Sequence, residues 1–512
     1  MYVKLTGLAV VLAISAALTA QEVENKAAKP TPAEKARMLL DSAAEMVAAA
    51  RAEVQVAALM HLGDNFEEID KKRALKFYRQ AFAAAASVDD ASNKADLQAQ
   101  VTGRMARLNV TEAIGMLKMM AASDENYSGF RRHDALYRIA QQLAKAGDFD
   151  QAIAFTEMVA TTGPFPLGVL NLLLNGLPPG DYRCGALFAT AVSAFRAKPQ
   201  VEFGDTISQQ WHKLPPQAVD SAVKAMVDWV LERKDKEGEF NATLSSEKGT
   251  ANFASQQDYD LFNLVHILQQ FDPKRAEDML MRRPALRVMI ERFPEGRDSM
   301  GNNLSSSTNS GNRSADNQAR TQLEGLANSR AEVALAALNE DPQKALDAVA
   351  SIPLPERQAE VLGQIAASLG EQDPEKVRSV LNRASKLLSD VKEPAPRIQP
   401  WLHMAKAAHG IKDDQAAWGY LGRAMDDVVA LYKRDTDEKA GNQAIREEWP
   451  STQAGRRVVA SATAMFSVDA EPFLVKIADP EIALLARIEM AQILLGLPPT
   501  QGSTSFMRRT KQ

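Results

Sequence analysis

One cysteine in 512 residues, Cys184, excludes an intramolecular disulfide, so packing alone has to hold this fold together. Positive charge is gathered nowhere. The formal net charge is -5 with Lys and Arg dispersed, which excludes nucleic acid as the main partner, because neutralising phosphates needs a clustered basic surface. The basic residues Arg508, Arg509 and Lys511 read as a solvated terminus. Strand-type alternation is lacking, and the chain reads as all-α with almost no sheet. Enzyme signatures are lacking too: there is no Gly-rich phosphate loop, no Gly-x-Ser-x-Gly elbow and no His-Glu-x-x-His spacing. The six histidines, His61, His133, His212, His266, His403 and His409, read as surface or partly packed residues. Adjacent acids at Glu67/Glu68 and Asp89/Asp90 read as solvated turns. Met116, Met119, Met120, Met279 and Met281 step at helical intervals and read as filling between helices. No catalytic residue, cofactor or metal ligand is expected.

What the chain does have is a period. Asp148-Phe-Asp-Gln-Ala152 is one instance of Asp or Asn, three residues, then Ala, which recurs at Asp70/Ala74, Asn109/Ala113, Asp272/Ala276, Asp341/Ala345 and Asp413/Ala417. Steps of 39 residues separate Asp70, Asn109 and Asp148, and 40 separate Asp373 from Asp413, a period that belongs to stacked helical hairpins. The Asp or Asn is predicted to cap the second helix of each hairpin, its side-chain oxygen accepting from N–H groups that have no partner within the helix. Pro273, Pro342, Pro374 and Pro480 each follow an Asp, in the first helical turn, where a missing N–H costs nothing. The Ala is small because the two helices meet there. First helices carry apolar stripes such as Leu97, Val101, Met105 and Ile139, Leu143.

The stretch Leu136 to Thr156, LYRIAQQLAKAGDFDQAIAFT, resembles the tetratricopeptide repeat family. Ile139 and Ala140 stand where that family has Leu-Gly, Leu143 where it has Tyr, Gly147 and Phe149 in its turn, and Ala152 at its small position. Trp401 to Leu421 matches the same frame, with Trp401 at the opening aromatic and Ala405 and Ala417 at the two small sites. The period departs from the family's, which is about 34 residues, and Val377 replaces a small residue. The resemblance implies an α/α superhelical solenoid of helical hairpins, tetratricopeptide-like, whose concave face is lined by first helices. It implies a non-enzymatic scaffold binding a protein or peptide there, with Asp134, Tyr137, Gln141, Lys406 and His409 at the groove positions. The alternative is an envelope-glycan-acting enzyme on an α/α toroid or superhelix, which needs two carboxylates across a cleft.

Residues 1–20 read as a secretory signal peptide: Lys4, then an apolar core from Leu8 to Ile14, then small residues from Ser15 to Ala20. Cleavage is placed after Ala20 or within Ser15-Ala16-Ala17. An uncleaved anchor is the other reading, although the run is shorter than the roughly 20 residues of a spanning helix. The chain is therefore expected to be exported, periplasmic or extracellular, with no stable membrane insertion after cleavage. The remaining organisation is predicted as a helical-repeat array over 21–294, a flexible polar linker over 295–317, a second array over 318–500 and a disordered tail over 501–512. Lys234 to Ser255 is expected to be a long loop between hairpins.

Overall fold

Helix starts fall where the capping residues place them. Asp70 accepts from the N–H groups of Lys72 and Arg73, Asn109 from Glu112, Asp148 from Gln151, Asp272 from Arg275, Asp341 from Gln343, Asp373 from Lys376 and Asp413 from Ala416. Each such cap contributes about 1 kcal/mol. Ala74, Ala113, Ala152, Ala276, Ala345 and Ala417, four residues further on, are all fully buried. The computed structural model describes residues 29–120, 128–161, 164–178, 180–235, 240–301, 305–309, 315–439 and 446–498. The signal peptide and the tail predicted for 1–20 and 501–512 lie outside them. The architecture is an all-α helical repeat of hairpins, as the period predicts.

The chain divides into two compact units, and they are not the two arrays predicted. One, here the contiguous unit, is Arg51–Leu326; the other, the composite unit, joins Met1–Ala50 to Ala327–Gln512. In the contiguous unit the hairpins are Ala52–Phe66 with Lys71–Ala85, Ala91–Leu108 with Val110–Met119, Ser128–Lys145 with Phe149–Ala160, Leu167–Gly176 with Tyr182–Ala197, and Phe203–Gln210 with Pro216–Glu232. Consecutive first helices pack on one another along the whole run. Second helices of the early hairpins meet only sparingly, so the first helices form the tighter layer.

The sheet is as small as expected, but it stands partly in the segment predicted to be a long loop, Lys234 to Ser255. Strands β1 (Asn241–Ser246) and β2 (Gly249–Phe253) pair antiparallel, and β3 (Ser305–Asn309) joins the free edge of β1. Ala242 faces Phe253 and Leu244 faces Ala251 across the ladder, and all four are buried, while Thr243 and Asn252 bond to each other on the other side. That is half-buried strand periodicity, concealed because its apolar members are mostly small. Phe253 packs against Tyr259 and Phe262, tying the hairpin to the helix Gln256–Leu261 that follows. Part of the segment predicted as a linker thus contributes a strand and the short helix Arg297–Met300.

In the composite unit, Pro355–Leu369 pairs with Pro374–Ser389 and Ala395–Gly410 with Asp414–Lys439. Pro450–Phe466 then packs on both Asp414–Lys439 and Pro480–Leu494. The last partner of Pro480–Leu494 comes from far away in sequence: it is Pro32–Met46. This helix buries Ala36, Leu39, Leu40 and Ala43 and begins with a reciprocal cap between Thr31 and Glu34. The terminal hairpin is therefore assembled from the first and last described helices.

Candidate binding face on the first helices

Ser128–Lys145 shows how one helix serves both core and surface. Ala135, Leu136, Ile139, Ala140 and Leu143 are buried, and between them Asp134, Tyr137 and Gln141, three and four residues apart, form a half-buried stripe on one face. Asp134 does not stand alone. Arg131 lies between two carboxylates, with Nη1 3.6 Å from Asp134 and Nε 3.2 Å from Asp96 of the preceding first helix, whose other oxygen accepts from Gln100 at 3.4 Å. Burial pushes both acids above the usual carboxylate range, and for Asp134 the charge of Asp96 adds to this, while Arg131 opposes it for both. One residue before the stripe acid, burial lowers the His133 imidazole to about 4, against the pull of a hydrogen bond with the Pro164 backbone.

Polar bridges of this kind link first helices elsewhere in the contiguous unit. Asp64 accepts from Arg104 at 3.0 Å and Arg107 at 2.8 Å, and Glu67 from Arg107 at 2.5 Å. The Tyr78 hydroxyl donates to Asp64 at 2.8 Å from the paired second helix. Burial pushes Asp64 up, but Arg104, His61, Arg107 and the Tyr78 bond together hold it below the ordinary value. Further along the acceptors become uncharged: Asn171 donates to Thr206 at 3.3 Å, and Asn175 accepts from Gln210 at 3.2 Å and from Lys213 at 2.8 Å. Glu67 and Asp90, predicted as solvated acids, are an Arg partner and a helix cap.

Lys406 and His409 belong to the composite unit, so they share neither helix nor unit with the stripe of Asp134. Lys406 is exposed on Ala395–Gly410. His409 holds Asp414 through Nδ1 at 2.7 Å, and its ring meets Phe466 edge-on at 5.2 Å. Trp418 packs on Phe466 at 5.2 Å and Phe473 at 4.7 Å and is 37% exposed, giving a partly open aromatic patch beside His409. Sequence reading missed Asp96, Arg131, Trp418 and Phe466. Trp418, directly after the repeated Ala417, was the one visible signal.

Other charged clusters are packed inside. Arg456 and Glu489 are both almost fully buried and bond at 2.8 Å, with Glu447 3.1 Å from the same guanidinium. Asp427 pairs with Arg397 and accepts from Trp401 Nε1 at 3.0 Å. His61 and His266 are buried rather than at the surface, while Met119 and Met281 are exposed rather than packed. Among the described residues, no group of three His, Cys, Asp or Glu is placed to hold a metal ion, and no helix is long and apolar enough to cross a membrane.

No family model matches the chain, and no curated protein matches it in sequence. Among the solved structures that match, these run along most of its length. Ton1535 from Thermococcus onnurineus NA1 is 12% identical, covers 88% of this chain and 94% of its own, and has a TM-score of 0.18. A circular tandem repeat protein with novel repeat topology and enhanced subunit contact surfaces is 14% identical, covers 90% and 96%, and has a TM-score of 0.17. Superpositions that loose carry no argument. The helical-repeat assignment rests on the hairpins themselves.

Proposed function

We propose that the chain is an exported, non-enzymatic scaffold of the tetratricopeptide kind that binds a protein or peptide segment on its first helices. The supporting observation is the half-buried stripe of Asp134, Tyr137 and Gln141 on the tighter helical layer. A tyrosine between two polar groups offers a partner a large apolar surface at low entropic cost, together with hydrogen-bonding groups that fix its register. In the composite unit, Lys406 and His409 offer a second contact region beside Trp418. A tagged mature chain should retain a specific band from the envelope fraction of its own cell. Tyr137→Ala combined with Lys406→Ala should abolish that capture while leaving the far-ultraviolet dichroism intact; unchanged capture overturns the assignment.

A second reading, an envelope-glycan-acting enzyme, is favoured by one observation. Asp96 and Asp134 flank one arginine and both titrate above the usual range, as an acid catalyst must. Turnover of polysaccharide or peptidoglycan that disappears in Asp134→Asn would select this reading over the scaffold.

A further inference from the structure

The hairpin of Pro480–Leu494 and Pro32–Met46 differs from the others in its connection. Elsewhere a short turn holds the two helices together; here their covalent link runs through the whole of Arg51–Leu326, which belongs to the other unit. Only non-covalent contacts seat the helix Pro32–Met46. Ala36, Leu39, Leu40 and Ala43 supply the apolar face. Three polar contacts fix its register: Lys29 to Asp469 at 2.9 Å, Lys35 to Glu471 at 2.6 Å, and Arg487 to Ser42 at 3.2 Å, each joining residues more than 430 positions apart. The helix also carries its own start signal, the Thr31–Glu34 cap, so it is specified locally rather than by its seat. At its far end the chain passes through a single turn, Val47–Ala49, into two extended residues, Ala50 and Arg51.

A seat of this kind does not distinguish its own helix from the same helix of another molecule. The apolar face, the cap and the charge complementarity are identical in both cases, and only effective concentration decides. We infer that the face formed by Pro480–Leu494, Ser467–Ala470 and Glu471 is a self-association site, which takes up the segment Lys29–Met46 of a second copy, so that two chains exchange these helices reciprocally. The occupant is specified by charge: two lysines preceding and opening the helix meet Asp469 and Glu471.

Thiol cross-linking tests this on the full mature chain. Ser42→Cys is placed in one tagged chain and Arg487→Cys in another; Cys184 is buried, so only the introduced thiols are open to a short bismaleimide. The two chains are mixed after brief partial denaturation and returned to native buffer. Exchange gives a product of twice the chain mass whose yield rises with protein concentration, whereas the double variant also gives a concentration-independent link within one chain. Cross-linking confined to single chains at every concentration overturns the inference. Charge reversal supplies an independent arm that keeps Ser42 and Arg487 intact. Lys35→Glu mixed with Glu471→Lys should form mixed dimers in excess over either homodimer by native mass spectrometry. Equal proportions, or monomers alone, count against exchange.

Discussion

The contiguous and composite units use one grammar, an Asp or Asn cap followed by a buried Ala, yet a pair of charge clusters, one from each, is placed differently. In the contiguous unit the Asp64 and Asp96 networks sit half-exposed between first helices, with several partners each. In the composite unit Arg456 and Glu489 are inside, at 4% and 3% side-chain exposure. Repeated residues determine how hairpins start and dock; the positions between them decide whether charge lines a surface or is locked in a core. Half-exposed networks can exchange partners with solvent or a ligand. Buried pairs cannot, and removing one member strands the other.

The largest expected effect tests that contrast. Glu489→Ala should destabilise the composite unit by about 3–5 kcal/mol, because it leaves the Arg456 guanidinium buried without its principal partner. Glu489→Leu with Arg456→Met should recover most of the loss, as read by urea unfolding. Acid tests the contiguous unit. With His133 lowered to about 4 from 6.5, the folded chain binds fewer protons than the unfolded one between those values, so stability falls as pH drops through that window. The expected loss is roughly 2–3 kcal/mol, and His133→Leu should flatten the profile there.

Smaller effects probe the docking itself. A Cβ at Gly63 would lie 2.3 Å from Tyr78 Cε1, so Gly63→Ala should displace the ring that donates to Asp64, costing about 1–3 kcal/mol by thermal unfolding. The smallest test compares one turn in both units. Gly147 closes its helix at φ 79, with its N–H bonded to Ala144 and that of Asp148 to Leu143. Lys412 does the same at φ 61, bonding to His409 while Asp413 bonds to Ala408. A side chain there costs about 1 kcal/mol, so Lys412→Gly should raise the melting temperature and Gly147→Ala should lower it. If Lys412→Gly instead destabilises, the ion pair of Lys412 with Glu371 is worth more than the backbone strain.

Caps and docking alanines could be read from sequence because they are local: a side-chain oxygen reaches the N–H two or three residues on. The sheet could not, since Ala242 and Ala251 give a weak alternation and the turn between β1 and β2 is Glu247-Lys248 rather than the Asn-Gly that marks a hairpin. Asp134, Tyr137 and Gln141 could be placed on one stripe by helical spacing alone. Asp96 and Arg131 escaped because their contact depends on the step between hairpins, not on spacing within one. The pairing of Pro32–Met46 with Pro480–Leu494 carries no signal of proximity at all.

That pairing also sets an order of events during synthesis. The helix Pro32–Met46 leaves the ribosome before any of the hairpins, and its seat on Pro480–Leu494 among the last. Through that whole interval Leu39 and Leu40 have no native surface to cover them. The first described helix to be made is thus among the last to be covered, and a temporary custodian would shield its apolar face meanwhile.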